Sequence, residues 1–163
     1  MSTFFKVGTD EAATFIINDL KAAHISLSTI VQTPQTKTGV SFIIPSPSGN
    51  HTILVHRGAN LTITDKEIPW DAITAVDHLY ITSLVGPTSY LLPAIAQHAA
   101  RHGIPVATNP GTSQLTAGAL YLRQALPFID ILIMNAHEAQ LLMKTLVETT
   151  LSKPSLGSKK EAA

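Results

Sequence analysis

Residues 130–138, Asp-Ile-Leu-Ile-Met-Asn-Ala-His-Glu, form the stretch of sequence that decides the fold class. The unbroken apolar run from Ile131 to Met134 predicts a strand buried on both faces, which is typical of a strand inside a parallel sheet. Asn135 and Glu138 follow with the spacing of a capping box, in which side chains satisfy backbone N–H groups at a helix start. The stretch therefore predicts a buried strand that leads directly into a helix, the repeating unit of α/β proteins.

The same alternation of strand and helix extends from this stretch towards the amino terminus. Apolar and β-branched runs predict strands, and apolar residues spaced three or four apart predict helices. The strands are predicted at 4–7, 26–32, 77–84, 104–108 and 130–134, and the helices at 10–24, 89–102, 113–124 and 136–148. Because strands that alternate with helices form βαβ units, we expect a parallel sheet.

Residues 38–57 break this alternation. Two short apolar or β-branched runs, at 40–44 and 52–56, flank a turn-rich segment at 45–50 that reads Pro-Ser-Pro-Ser-Gly-Asn. Such runs on either side of a turn predict a β-hairpin. Because a hairpin does not fit into a parallel sheet, we expect it to protrude as a flap.

The composition indicates one folded domain with unusually few charges. The 163 residues include 11 Lys and Arg against 11 Asp and Glu, and charged residues make up 13% of the chain, about half the usual share. Zero net charge argues against nucleic-acid binding, no apolar run is long enough for a membrane span, and the absence of cysteine excludes disulfides and thiol catalysis. We therefore expect a cytoplasmic protein whose apolar surface is partly covered by a partner chain or by a missing part of the fold.

Two pairs of residues are candidate metal ligands, and each pair has a simpler structural interpretation. His98 and His102 lie four residues apart on a predicted helix, but no third ligand is nearby, and histidine is favoured near a helix C-terminus in any case. Asn135 and Glu138 lie where a strand ends, at the sheet edge where open α/β folds bind ligands. Glu138 can hold Mg²⁺ directly or through water, or it can complete the helix cap. The spacing alone leaves both interpretations open.

Five short segments occur in one collinear order along the chain. They are Lys-Val-Gly-Thr-Asp at 6–10, Thr-Gly-Val at 38–40, Gly-Ala-Asn at 58–60, Asn-Pro-Gly at 109–111 and Asp-Ile-Leu-Ile-Met-Asn-Ala-His-Glu-Ala at 130–139. In this order and spacing they resemble the ribokinase/PfkB family of carbohydrate and nucleoside kinases, over about residues 4–145. No single segment is decisive, but the collinear set is specific.

The resemblance implies a three-layer α/β fold on a parallel sheet that is only partly present here, with the hairpin at 38–57 as a lid. Family members transfer the γ-phosphoryl group of ATP to a hydroxyl of a sugar or nucleoside with the help of Mg²⁺. Lid positions that contact the sugar correspond to Ser41, Ile43 and Val55. The family's N-x-x-E motif, linked to Mg²⁺ and phosphate, falls on Asn135 and Glu138, and this favours a metal role that is compatible with the helix cap.

The chain departs from the family pattern in ways that predict an incomplete enzyme. It begins after the family's first strand, which carries a substrate-binding Asp and is followed by a Gly-Gly-x-x-x-Asn motif. It contains no Asp after Asp130 and no G-A-G-D signature, whose Asp is the catalytic base. We therefore assign no catalytic residue and expect negligible kinase activity from the chain alone. Val85 stands where ribokinase-like members have a sugar-contacting Glu, so the resemblance does not specify ribose.

An incomplete sheet also predicts association with another chain. Exposed strand edges and apolar faces favour self-association, and family lids often supply dimer contacts, so we expect a homo-oligomer or a complex with a complementary kinase fragment. Residues 1–148 form the partial domain in this interpretation, and 149–163 form a flexible polar tail. The alternative function is a non-catalytic truncated or split-kinase module that binds a partner or dimerises through its lid. A free-standing sugar- or nucleotide-binding domain is a third hypothesis, for which the sequence supplies no complete pocket.

Overall fold

The computed structural model of the chain describes residues 1–47, 49–116 and 119–151. Its strands are β1 (Lys6–Val7), β2 (Val31–Gln32), β3 (Val40–Pro45), β4 (His51–His56), β5 (Leu79–Ile81), β6 (Val106–Thr108) and β7 (Ile131–Leu132). Its helices are α1 (Glu11–Ala22), α2 (Trp70–Ile73), α3 (Leu91–Arg101), α4 (Thr112–Leu115), α5 (Ala119–Ala125) and α6 (Ala136–Leu151). No helix within these ranges is long and apolar enough to cross a membrane.

Strands β5, β6 and β7 form a parallel sheet in that order, which confirms the predicted α/β class. Helix α3 crosses over from β5 to β6 and contacts α5, while α6 follows β7 and contacts α4 and α5. Apolar side chains three or four positions apart on these helices face a common core, as their sequence period predicts. The fully buried large apolar members of that core are Leu91, Leu92, Val106, Leu115 and Leu122.

Strands β1 and β2 form a second parallel pair, which is not hydrogen-bonded to the three-stranded sheet within the described ranges. Helix α1 connects them, and its N-cap is Asp10, whose side chain accepts a hydrogen bond from the backbone N–H of Ala13. The predicted strand at 26–32 is shorter in the structure, because only Val31 and Gln32 enter the ladder. The sequence predicted one sheet, whereas the described residues form two parallel sheets and a hairpin.

The hairpin is confirmed, with β3 and β4 antiparallel and in register from Val40 opposite His56 to Pro45 opposite His51. All residues of both strands are exposed. A two-stranded ribbon without a covering layer has no core of its own. The ribbon therefore protrudes from the α/β body as a flap, as its sequence predicts.

Strand β7 differs from its prediction, because it is not buried on both faces. Ile131 is 56% exposed and Ile133, just beyond the strand, is 48% exposed. Within the described residues β7 pairs only with β6, so its other edge has no neighbouring strand. The apolar run from Ile131 to Met134 has the pattern of an inner strand, but it lies at the edge of the sheet.

Two further predictions meet the structure only in part. The helix predicted at 113–124 is divided into α4 and α5, and residues 117 and 118, which lie between them, are outside the described ranges. Helix α6 continues to Leu151. The remainder of the predicted tail, residues 152–163, also lies outside the described residues.

Candidate functional site

The loops that follow β5, β6 and β7 lie side by side at the carboxyl edge of the sheet. The side-chain amide of Asn109, which follows β6, donates a hydrogen bond of 2.7 Å to the carbonyl of Ile133, which follows β7. Gly111 approaches Ser83 of the β5 loop so closely that a Cβ at Gly111 would lie 2.7 Å from the Ser83 Oγ. Parallel strands thus bring these three loops to the edge where open α/β sheets bind ligands.

The structure brings together Asn135 and Glu138, the predicted metal residues, as a reciprocal capping box. The backbone N–H of Asn135 donates to Glu138 Oε2, and the backbone N–H of Glu138 donates to Asn135 Oδ1, each at 2.9 Å. Asn135 is exposed and Glu138 is half-buried. The bonds establish the structural interpretation of the pair, which is the cap of α6. They do not involve Glu138 Oε1, and a role in metal binding stays a prediction.

The side chains of the second candidate metal pair, His98 and His102, contact neighbouring groups of the protein. The His102 Nδ1 lies 2.8 Å from the carbonyl oxygen of His98. The ring of His98 lies edge-on to Trp70, with 5.1 Å between ring centroids. Among the residues that the structure describes, no group of three or more His, Asp or Glu side chains is close enough to hold a metal ion. The packing favours the simpler interpretation of the two histidines.

A large cavity lies between the hairpin and the three-stranded sheet. Its volume is about 780 Å³, and its walls include the inner end of the hairpin and the loop at 82–85. This size falls in the range of small-molecule sites. Two of the predicted sugar-contacting residues, Ser41 and Val55, are directly opposite each other in the hairpin ladder and line the cavity. The third, Ile43, pairs with Ile53 further along the ribbon and is not among the lining residues.

The structure adds cavity residues that sequence reasoning missed. Arg57 and Asn60 look like ordinary solvated loop residues in the sequence, yet both line the cavity. Val85, which stands where ribokinase-like members have a glutamate, also lines it and is 7% exposed. The signal that was available for Asn60 was its place in the segment Gly-Ala-Asn. Because Asn60 lies outside the hairpin strands in the sequence, no local pattern indicated that it would line the cavity.

Asp10 fixes the point at which the hairpin leaves the body of the protein. Its Oδ1 accepts a hydrogen bond of 2.6 Å from the hydroxyl of Thr38, and its Oδ2 accepts one of 2.9 Å from the backbone N–H of Thr38. The same hydroxyl accepts a bond of 3.0 Å from the backbone N–H of Gly8. Since these bonds favour the ionised carboxylate, those from the Thr38 side chain and backbone lower the pKa of Asp10 from 3.8 to about 2.

Gly58 allows the two ends of the hairpin to approach each other closely. Its φ is +52°, and a Cβ there would lie 2.2 Å from the carbonyl oxygen of Lys37. Only glycine adopts this backbone conformation without strain and leaves that space empty. We refer to Thr38, Gly39 and residues 57–60 as the hairpin base. Because the base is fixed by Asp10 and by this close approach, the position of Ser41 and Val55 over the cavity is determined by the fold.

An ion pair between the buried Lys6 and the half-buried Glu67 supports the segment that follows the hairpin base. The ammonium group of Lys6 lies 2.7 Å from Glu67 and donates a hydrogen bond of 2.9 Å to the carbonyl of Thr62. Burial by itself would raise the pKa of Glu67. Hydrogen bonds from Lys6 and Thr64 outweigh that effect and hold the pKa of Glu67 below its ordinary value. The pair ties β1 to the segment that leads from the hairpin to α2.

Comparison with known proteins places this architecture among carbohydrate kinases. The model of the pfkB family carbohydrate kinases matches residues 1–159. A ribokinase from Staphylococcus aureus (strain COL) is 37% identical over 139 residues, which are 84% of this chain and 43% of that relative. The chain therefore spans less than half the length of this relative.

Solved structures show the same fold. The structure described as Sa239 is 31% identical and superposes with a TM-score of 0.73, covering 93% of this chain and 52% of that one. The adenosine kinase from Schistosoma mansoni in complex with 2-fluoroadenosine superposes with a TM-score of 0.80 at 18% identity, covering 93% of this chain and 45% of that one. In both cases the match leaves about half of the compared structure without a counterpart in this chain.

Proposed function

We propose that this chain, which belongs to the PfkB family of carbohydrate kinases, forms the lid and part of the phosphoryl-transfer edge of an ATP- and Mg²⁺-dependent kinase. The substrate is a sugar or nucleoside that is phosphorylated on a hydroxyl group. The observation that carries this proposal is the cavity of about 780 Å³ between the hairpin base and the loop after β5. We further propose that the protein acts in the cytoplasm.

The cavity residues provide the contacts that a sugar needs. The Ser41 hydroxyl and the Asn60 amide offer hydrogen-bond donors and acceptors, while Val55 offers an apolar contact. A few polar groups in a mainly apolar cavity are the usual arrangement of a small-molecule site. The fixed hairpin base holds these groups in place, and the protruding ribbon excludes water from the substrate. Ile43, further out on the ribbon, reaches the sugar only if the ribbon bends inwards over it.

Asn135 and Glu138 fit a Mg²⁺ ion that is bound largely through water and phosphate. A carboxylate and an amide oxygen are the kind of donor that Mg²⁺ prefers, and Mg²⁺ commonly keeps several waters beside one or two carboxylates. The pair lies at the start of α6, shortly after β7, with Asn135 exposed and Glu138 half-buried. Bound Mg²⁺ neutralises charge on the transferred phosphoryl group. In this proposal Glu138 has two tasks, since one oxygen caps α6 and the other faces the ion's hydration shell.

Within the described residues no Asp or Glu lines the cavity to act as a base for the attacking hydroxyl, so we propose that the chain has no kinase activity by itself. A base must lie within hydrogen-bond reach of the reacting group. The Asp130 carboxylate accepts a bond of 2.8 Å from the backbone N–H of Val106, at the opposite end of β6 from the cavity loops. The Asp10 carboxylate is engaged by Thr38 and Ala13. Neither carboxylate is placed to accept a substrate proton.

A chimera tests this function directly. Residues of this chain that match the Staphylococcus aureus ribokinase replace the corresponding segment of that enzyme, and a panel of sugars and nucleosides is assayed with radiolabelled ATP. We expect the chimera to phosphorylate at least one compound and the isolated chain to phosphorylate none. Activity of the isolated chain would contradict the proposal, and so would a folded chimera that neither binds nor phosphorylates any compound.

A second candidate function is a non-catalytic module that dimerises through its hairpin. Phe42, Ile44 and Leu54 project from the same face of the ribbon, and each is more than half exposed. Ser41 and Val55, which line the cavity, belong to the opposite face because side chains alternate along a strand. None of these three apolar side chains lines the cavity, and together they form a surface on which a second ribbon can pack.

A further inference from the structure

The turn between β7 and α6 carries Asn135 and Glu138, the pair proposed to face Mg²⁺. The capping bonds of this pair join residues three positions apart. Such local bonds orient the two side chains on the helix, but they do not attach the turn to the sheet. The attachment is made at Ile133, two residues before Asn135.

Both backbone groups of Ile133 bond to the end of β6. Its N–H donates a hydrogen bond of 2.9 Å to the carbonyl of Thr108 and so extends the parallel ladder by one step. Its carbonyl accepts a bond of 2.7 Å from the side-chain amide of Asn109. A side chain thus donates at a place where a parallel ladder ordinarily has a backbone donor.

The local sequence explains why a side chain is needed there. Continued beyond its last pair, the ladder between β6 and β7 would bring residues 109 and 110 beside Ile133. The backbone N–H of Asn109 is directed the other way, to the carbonyl of Ile81 at 3.3 Å. Residue 110 is Pro110, which has no N–H to donate. The Asn109 side chain therefore supplies the donor that the backbone cannot.

The backbone of Asn109 is itself held firmly in the sheet. The residues on either side of it, Thr108 and Pro110, are fully buried. The Thr108 hydroxyl donates a bond of 2.8 Å to the carbonyl of Ile81, which also accepts the bond from the Asn109 backbone. Because the Asn109 backbone is fixed in this way, its side chain holds the Ile133 carbonyl at a set place beside β6.

We propose that Asn109 is the positioning residue of the metal pair, and that through the Ile133 carbonyl it determines where Asn135 and Glu138 lie at the sheet edge. The bond is exposed to solvent, so water can replace it at a small cost in stability. Its loss should therefore change the position of the turn more than the folding of the chain. The inference rests on the proposed Mg²⁺ role of the pair, and Asn109 acts only through the turn.

Manganese titration of the full chain tests the proposal without turnover. Mn²⁺ prefers the same oxygen ligands as Mg²⁺, and its unpaired electrons broaden the NMR signals of nearby amides. We expect Mn²⁺ alone to broaden the amide signals of Asn135 and Glu138. Asn109→Leu keeps the size of the side chain but removes the donor, and it should reduce this broadening about fivefold. Broadening at Glu11, an exposed carboxylate on α1, should not change. No broadening at the pair in the unmodified chain would overturn the proposal.

Thr108→Val provides a matched control within the same dipeptide. It removes the bond from the Thr108 hydroxyl to Ile81 and leaves both bonds of Ile133 in place. We expect it to retain the Mn²⁺ broadening, and we expect the amide of Glu138 to exchange at the same rate in both variants because the cap bonds are local. Equal loss of broadening in the two variants, or none in Asn109→Leu, would overturn the proposal. Faster exchange at Glu138 in Asn109→Leu would show that the cap melts, and would also overturn it.

The chimera separates this inference from the proposed function. In an active chimera, Asn109→Leu should raise the Mg²⁺ concentration needed for half-maximal activity and leave the KM for the sugar unchanged. If Mg²⁺ dependence responds to Glu138→Gln but not to Asn109→Leu, the kinase function stands and the role of Asn109 is rejected. An inactive chimera would reject the function, while the Mn²⁺ titration would still decide whether Asn109 positions the pair.

Discussion

The hairpin base and the end of β7 are both loops at which ligands are expected, but they are built differently. At the base, Asp10 binds Thr38 across 28 positions of sequence, and Gly58 lets the backbone approach Lys37 closely. At the end of β7, the bonds of Asn135 and Glu138 join residues three positions apart. The base is thus positioned by tertiary structure, whereas the other site is positioned by a helix cap. The difference is in keeping with our proposal that this chain forms the substrate side itself and depends on other segments for the phosphoryl side.

The largest effect on the unfolding free energy is expected from Gly58→Ala, which disturbs the hairpin base. The added Cβ meets the Lys37 carbonyl at 2.2 Å, and the positive φ is strained for alanine. We expect a loss of at least about 2 kcal/mol in unfolding free energy, measured by urea denaturation. Gly49→Ala at the hairpin tip is the control, since its φ is +83° but no atom lies within 4 Å of the added Cβ. Its cost should be about 1 kcal/mol, and equal costs for the two variants would contradict a closely packed base.

Asp10→Asn should weaken the same base in a pH-dependent way. The pKa of Asp10 is lowered to about 2 in the folded chain, so its contribution to stability is present above pH 3.8 and is lost as the pH falls towards 2. We expect the variant to be less stable at pH 7 and to lose less stability than the unmodified chain over that acid range. Asp19→Asn, on the exposed side of α1, removes the same charge and serves as the control. Identical pH profiles for the two variants would show that Asp10 does not hold the base.

Variants of Glu138 test whether the end of β7 is more than a helix cap. Glutamine also completes a capping box, so Glu138→Gln should change the unfolding free energy by less than about 0.5 kcal/mol, whereas Glu138→Ala should cost about 1 kcal/mol. In the active chimera, we expect both variants to lose Mg²⁺-dependent activity. A fully active Glu138→Gln chimera would show that Glu138 serves only to cap α6.

The smallest effect on folding is expected on the outer face of the ribbon. Phe42→Thr removes a side chain that is 63% exposed, so the unfolding free energy should change by less than about 0.5 kcal/mol. If the ribbon mediates dimerisation, sedimentation equilibrium should show weaker self-association for this variant. Thr52→Ser, on the exposed partner strand, provides a matched control. Unchanged association would exclude this face from the interface.

The sequence was most informative where local patterns decide the structure. Apolar spacing predicted the helices, and two runs around a turn predicted the hairpin. Asn135 and Glu138 were correctly placed at a helix start. The prediction that the run from Ile131 to Met134 is buried on both faces was wrong. Its composition is typical of an inner strand, whereas in the described residues it lies at the edge of the sheet.

The residues that were missed are joined by long-range contacts. Asp10 stands at the start of the helix predicted at 10–24, and no local pattern reveals its bonds to Thr38. Arg57 and Asn60 were taken for loop residues, because only the folded hairpin brings them to the cavity wall. Ser41 and Val55 were identified through the family resemblance, and the hairpin register brings them together.

Calorimetric titration with Mg·ATP tests most directly the central claim that the phosphoryl side is incomplete in this chain. The isolated chain and the chimera are titrated under the same conditions, each with its Glu138→Gln variant. The account predicts no saturable heat for the isolated chain and saturable binding for the chimera that is weakened by the substitution. Saturable binding of Mg·ATP to the isolated chain, lost in Glu138→Gln, would contradict it, because the nucleotide site would then assemble without the missing half.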